Sequence, residues 1–234
     1  MMREKAWMSW STGKDSAWAL EVARQQGDVE IVALLTTLNA SFARVAMHGV
    51  REALLDSQAE ALGLPLVKVS LPWPCPNEAY EKAMAGAMKR ALNEGVTCVI
   101  FGDLFLEDIR KYREEKLAPT GIKPLFPIWG LDTARLAQEM VGAGLRACLT
   151  CIDPKKLSAD FAGRTFDSQL LSELPEGVDP CGENGEFHTF AFAGPMFRKA
   201  IRVKTGQVVE RDGFIYADVL PAEGVARATG IVDT

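Results

Sequence analysis

The chain has 234 residues, 48% of them hydrophobic, and its 31 acidic against 26 basic side chains leave a net charge of −5. That length buries a sizeable core in one large or two small domains, and the acidic balance argues against nucleic acid as a partner. No apolar run approaches the roughly 20 residues of a membrane span, the start MMREKAWMSW interrupts any secretory h-region, and five cysteines make an odd count that fits reduced thiols in a cytoplasm.

Ala6 to Trp10 reads as a strand and Ser16 to Gln26 as a helix stopping at Gly27. Glu30 to Thr37 is a strand, and Gly49 to Leu62 is a helix closed by Gly63. Leu66 to Ser70 is again a strand. Asn77 caps a long helix that Gly95 ends, and Val96 to Phe101 is a buried strand running into Gly102 and Asp103. Apolar strands separated by helices predict a parallel sheet covered on both faces, with ligands beyond the carboxyl ends of its strands. Ser11 to Ser16, Thr36 to Asn39 and Gly102-Asp103 share that rim. Asp108 to Lys116 then forms a charged helix, and Pro119 to Gly130, with three prolines, reads as an interdomain connection. Leu131 to Gly144 is helical, Arg146 to Ile152 a strand, and short β-like runs follow from Phe187, at Ile201 to Val203 and at Phe214 to Val219. The expected fold is α/β: a parallel-sheet domain over residues 1–130 and a smaller α+β domain over 131–234.

The turn Ser11-Thr12-Gly13-Lys14-Asp15-Ser16 lies between the first strand and its helix. The first N–H groups of a helix and its dipole make such a turn an anion site. Gly13 lets the backbone approach, Lys14 adds charge, and three hydroxyls add donors, so the fitting ligand is a phosphate. An ordinary N-cap by Asp15 or Ser16 is the alternative. A Walker A loop fails at Met8 and Asp15, and a single glycine excludes the dinucleotide fingerprint. The stretch is similar to the S-G-G-x-D-S pyrophosphate loop of the PP-loop ATP pyrophosphatases, with Thr12 in place of the first glycine. Members of that superfamily split ATP between the α and β phosphates and pass AMP to a carbonyl or carboxyl oxygen.

A second constellation is Asp179-Pro180-Cys181-Gly182-Glu183-Asn184-Gly185-Glu186-Phe187-His188-Thr189-Phe190. Two carboxylates and an imidazole this close can hold an ammonium, orient a polar substrate or move a proton. A polar turn bonding its own backbone is the alternative, and the clustering of titratable groups favours function.

CGENGEFHTF, STGKDS, Gly102-Asp103-Leu104-Phe105 and Pro124-Leu125-Phe126-Pro127-Ile128-Trp129-Gly130 together resemble the diphthine–ammonia ligase family, also called the ATP-binding DUF71 family, and STGKDSAWAL with FGDLFLED is nearer its bacterial branch. The resemblance implies a Rossmann-like adenine nucleotide α-hydrolase domain followed by a smaller domain whose ENGEFHT segment closes over the site. It implies an enzyme that adenylates a small-molecule or protein carboxylate and forms an amide with ammonia. Ser11, Thr12, Gly13, Lys14, Asp15 and Ser16 would bind the phosphates, with Lys14 on the leaving pyrophosphate. Thr36 would lie near the adenine, and Gly102 and Asp103 beside the ribose and α-phosphate. Glu183, Asn184, Glu186, His188 and Thr189 would take the acceptor or ammonia, with Lys14, Asp103, Glu183, Glu186 and His188 as the catalytic set. Mg²⁺ is expected with ATP, facing Asp15, and a homodimer is compatible with the pattern.

His48, after the second strand, is a further candidate for the nucleotide. Tyr112 and Arg113 are read as a solvated helix face. Cys148 and Cys151 raise two rival readings, zinc or a sulfurating tRNA- or nucleotide-modifying enzyme, but residues three apart on a strand point to opposite faces. A non-catalytic ATP- or AMP-binding module is the third reading, suggested by Thr12.

Overall fold

The computed structural model describes residues 3–41, 44–45 and 49–222. Its first half alternates strand and helix as the hydrophobic pattern dictates: β1 (Glu4–Ser9), α1 (Lys14–Gln26), β2 (Val29–Asn39), the short β3 (Arg44–Val45), α2 (Glu52–Leu62), β4 (Leu66–Leu71), α3 (Asn77–Asn93), β5 (Val96–Ile100), α4 (Glu107–Leu117) and β6 (Lys123–Leu125). β1 lies between β2 and β5, with β4 beyond β2 and β6 beyond β5, all parallel; β3 adds an antiparallel pair at Leu38 and Asn39.

The stretch expected to connect two domains instead supplies β6, whose residues Lys123 to Leu125 pair with Cys98 to Ile100. Pro124 is tolerated because β6 is an edge strand, where a missing N–H can face away from the sheet. The long helix begins at Asn77 itself, with Pro76 in the cap position.

The second half is antiparallel. After α5 (Thr133–Gly142), whose start is capped by the Asp132 side chain accepting from Arg135 N, come β7 (Arg146–Ile152), β8 (Thr165–Phe166), α6 (Ser168–Glu173), β9 (Phe187–Ala193), β10 (Val203–Arg211) and β11 (Phe214–Pro221). β9 runs along one side of β7 while β8 and β11 share the other, and β10 closes the edge.

Strand alternation distributes the core. Ala6, Met8 and Trp10 face α1 and α2, and that apolar cluster continues without a break into Leu136, Met140, Leu149, Phe166, Phe187 and Phe190 of the second half. Trp7, Leu35, Val67, Val69 and Val99 face the other way, onto Met88 and Ala91 of α3. One cluster therefore joins both sheets, and β9 is laid against α1 where the parallel sheet presents its carboxyl ends.

Candidate active site

The turn after β1 is held by its own hydroxyls. Gly13 N donates to Ser11 Oγ at 3.3 Å, Ser16 Oγ donates to Gly13 O at 3.0 Å, and Ser11 and Ser16 hydroxyls meet at 3.1 Å. Thr12, standing where a glycine was expected, has φ +74°. It thus adopts the left-handed conformation that glycine would reach freely and that a β-branched residue avoids. Gly102, at the end of β5, touches the start of α1: a Cβ there would lie 2.8 Å from Asp15 C and Ser16 N. These are backbone atoms that cannot swing aside, so the position requires glycine.

The second constellation folds over this turn. Glu186 is buried, its Oε1 accepting from Asp179 N at 3.1 Å and Asn184 Nδ2 at 3.2 Å, while Asp179 Oδ2 accepts from Glu183 N at 2.7 Å. Lys156 fastens the outside, donating to Asn184 O at 2.6 Å. Gly182 has φ +69° and packs where a Cβ would strike Phe187 O at 2.9 Å. The segment then enters β9, and Thr189 Oγ1 accepts the N–H of Lys14, the first residue of α1, at 3.0 Å.

Lys14 departs from the expectation. Its side chain is 1% exposed and turns into the second half, donating to Cys181 O and to Asp15 Oδ2 at 2.9 Å. The ammonium lies 5.1 Å and 5.5 Å from the Phe187 and Phe166 ring centres, a cation–π setting in an apolar surround. Burial works against its charge, but Asp15, Cys181 and Glu183 outweigh it and hold the ammonium above its ordinary pKa. Lys14 is thus anchored beneath the loop rather than extended toward a leaving group, because two of its three donors are engaged by Asp15 and Cys181 O.

A cavity of about 480 Å³ opens beside Ser11, at the carboxyl ends of β1, β2 and β5. Leu35, Val99 and Phe101 line it from the sheet, and α3 and α4 supply its walls. Leu35 and Thr37 face it while Thr36, between them, faces the other way and donates to Trp10 O at 2.9 Å. The period of two along β2 therefore turns Thr37, and not Thr36, to the cavity. Tyr112 and Arg113, read as a solvated face, both line this cavity. Arg113 grips Asp103 with two bonds of 2.5 Å and 2.9 Å and stacks 4.4 Å from the Phe101 ring centre.

Glu183 ties the second constellation to the loop that follows β5. Its Oε1 accepts from Leu104 N at 2.8 Å. Burial raises its pKa to about 7, with Asp15 and Asp103 adding to the rise and the Leu104 N–H and Lys14 opposing it. A carboxyl poised near neutrality beside a helix start can take up and release a proton in the working pH range. Thr12 Oγ1, Asp15 Oδ1 and Glu186 Oε2 are buried polar atoms without a protein partner. The first two, at one helix start, suit phosphate oxygens and a phosphate-bound cation; among the described residues no group of three or more His, Cys, Asp or Glu forms a metal cage by itself.

The diphthamide synthase N-terminal domain model matches residues 4–124 and the C-terminal domain model residues 132–218. The chain belongs to the diphthamide synthase family. Relatives within it include proteins named diphthine–ammonia ligase from Danio rerio, 28% identical over 89% of this chain and 90% of the relative, and from Rattus norvegicus, 30% identical over 70% and 67%. The human protein of the same name is 27% identical over the same shares.

In this member of the diphthamide synthase family, Cys148 and Cys151 are buried free thiols on β7, and burial raises each to about 11. Burial thus disfavours the thiolate that sulfur transfer would use at either position. His188 is half-buried on β9 opposite Cys151, with its backbone O accepting from Thr150. His48 lies outside the described residues. No described helix is long and apolar enough to cross a membrane. Sequence reasoning missed Gln58 and Lys156, and took Asp179 only as the first residue of the second constellation. Only Asp179, an acid placed before Pro-Cys-Gly, gave a local sign of its role.

Proposed function

We propose that this chain is an ATP-dependent ligase that adenylates a carboxylate and forms an amide with ammonia. The observation that carries the reading is the meeting of two segments far apart in sequence: the Ser11–Ser16 turn, suited to phosphate, and the Glu183–Thr189 turn, with its near-neutral carboxyl, joined by Thr189 on Lys14 N. The names of the relatives, diphthine–ammonia ligase, support the same chemistry.

In this scheme the phosphates of ATP lie on the Ser11–Ser16 turn and the α1 amides beyond that of Lys14, and Asp15 would hold Mg²⁺, which would neutralise phosphate charge. Lys14 adds positive potential from below. The adenosine half fits the cavity lined by Leu35, Thr37, Val99 and Phe101, with Gly102 and Asp103 at the ribose and α-phosphate. The acceptor carboxylate attacks the α-phosphorus and pyrophosphate leaves. Ammonia then attacks the acyl carbon and AMP departs, the surplus proton passing to Glu183. Glu186 Oε2 and His188 face the amine and acceptor. The test is incubation with Mg²⁺-ATP, ammonium and a panel of small carboxylic acids: AMP and pyrophosphate should accumulate with one acid, and ADP with phosphate would overturn the reading.

A further inference from the structure

Gln58 is a fully buried amide in the middle of α2, among Leu54, Leu55, Ala61 and Leu62. Its Oε1 accepts from Trp10 Nε1 at 2.8 Å, and its Nε2 donates to Thr12 O at 3.0 Å and Ala191 O at 2.7 Å. Ala191 N donates to the same Thr12 carbonyl at 2.9 Å. One carbonyl thus receives a donor from α2 and a donor from β9. It belongs to the residue at φ +74°, which is itself wholly buried. The other described non-glycine residue at positive φ is Asp212, in the exposed turn between β10 and β11, where a short polar side chain tolerates that conformation. A β-branched residue stays there only where its surroundings over-determine it.

We propose that Gln58 is a positioning residue for nucleotide binding, resting on the ATP reading of the loop. Together with Ala191 it grips the Thr12 carbonyl and keeps the turn left-handed, which sets the direction of Gly13 and the first amides of α1. Since Ala191 lies on β9, the shape of the loop also depends on the second sheet being docked. Glycine at position 12 would make the grip dispensable, because it occupies positive φ without steric penalty.

The test compares wild type, Gln58→Met, Thr12→Gly and the double variant, by thermal midpoint without nucleotide and by ATP affinity from calorimetry. Gln58→Met should lower the midpoint and weaken ATP binding roughly tenfold, and on the Thr12→Gly background both losses should shrink, the second to under about twofold. Equal losses in both backgrounds would make Gln58 a core filler and overturn the proposal, as would coupling in the midpoint without coupling in affinity. If Gln58→Met yields no folded protein, recovery of folded protein in the double variant supports the grip and failure to recover overturns it. A wild type that binds no ATP would defeat the ligase reading and the nucleotide role of Gln58 with it, while the midpoints alone would still decide the grip on Thr12.

Discussion

Thr189 Oγ1 accepts a hydrogen bond from the backbone N–H of Lys14 at 3.0 Å, across 175 positions of chain. The first amide of α1, normally left for solvent or an anion, is here satisfied by β9. Thr189→Val keeps the shape and removes the acceptor, leaving a buried N–H alone. The expected loss is about 1–3 kcal/mol, visible in urea melts, while Thr189→Ser should retain most of the stability.

Gly102→Ala forces a methyl to within 2.8 Å of backbone at Asp15 and Ser16. The start of α1 must move, and a misplacement of this kind is worth about 100-fold in kcat/KM. Pyrophosphate release should fall by that order with the far-ultraviolet spectrum unchanged; wild-type turnover would mean that the helix start does not hold phosphate.

Lys14→Met removes a buried ammonium and leaves Asp15 without its counter-charge. Breaking one side of a buried pair costs about 3–5 kcal/mol, which in a chain of this size lowers the thermal midpoint by roughly 6–20 °C. A second change, Asp15→Asn, should return part of the loss. A midpoint within 2 °C of wild type, against that expected fall, would contradict the anchoring role.

The raised pKa of Glu183, about 7, means that the folded chain binds this proton more tightly than the unfolded one. The associated stability is complete below the ordinary value of 4.5 and is lost as pH climbs through about 7. Wild type should therefore lose midpoint between those limits relative to Glu183→Gln. If the carboxylate receives the proton of the incoming amine, turnover should rise with pH through about 7 and the Gln variant should show no such step. A step that persists in the Gln variant would assign it to another group.

Local patterns legible in the sequence reached far into this structure. Apolar runs such as Val96 to Ile100, set between amphipathic stretches closed by glycines, fit a covered parallel sheet, so the order of strand and helix in the first half followed from hydrophobic pattern and end signals. The loop and the ENGEFHT turn were legible as chemistry. The family resemblance implied that the turn closes over the loop, but not the bonds that fasten them, because nothing near Lys14 reveals that Cys181 O and Thr189 wait for it. The cavity could have been read: residues 80, 81, 84, 85 and 88 of α3, then 112, 113, 116, 117 of α4 and 120 just beyond it, line it at the same spacing. That repeat is one helix face presented twice. The charges on α4 obscured it, since Arg113 is drawn inward by Asp103 and Phe101, partners a helical pattern does not display.

The apolar cluster that runs from α1 through Phe166 to β9 leaves no seam in the molecule. A fragment ending near residue 130 would carry bare faces on α1 and α2, and the complementary fragment would expose Phe187 and Phe190; either is an aggregation-prone half rather than a module. The two halves share one core, so a change of volume on either side of it is felt in both.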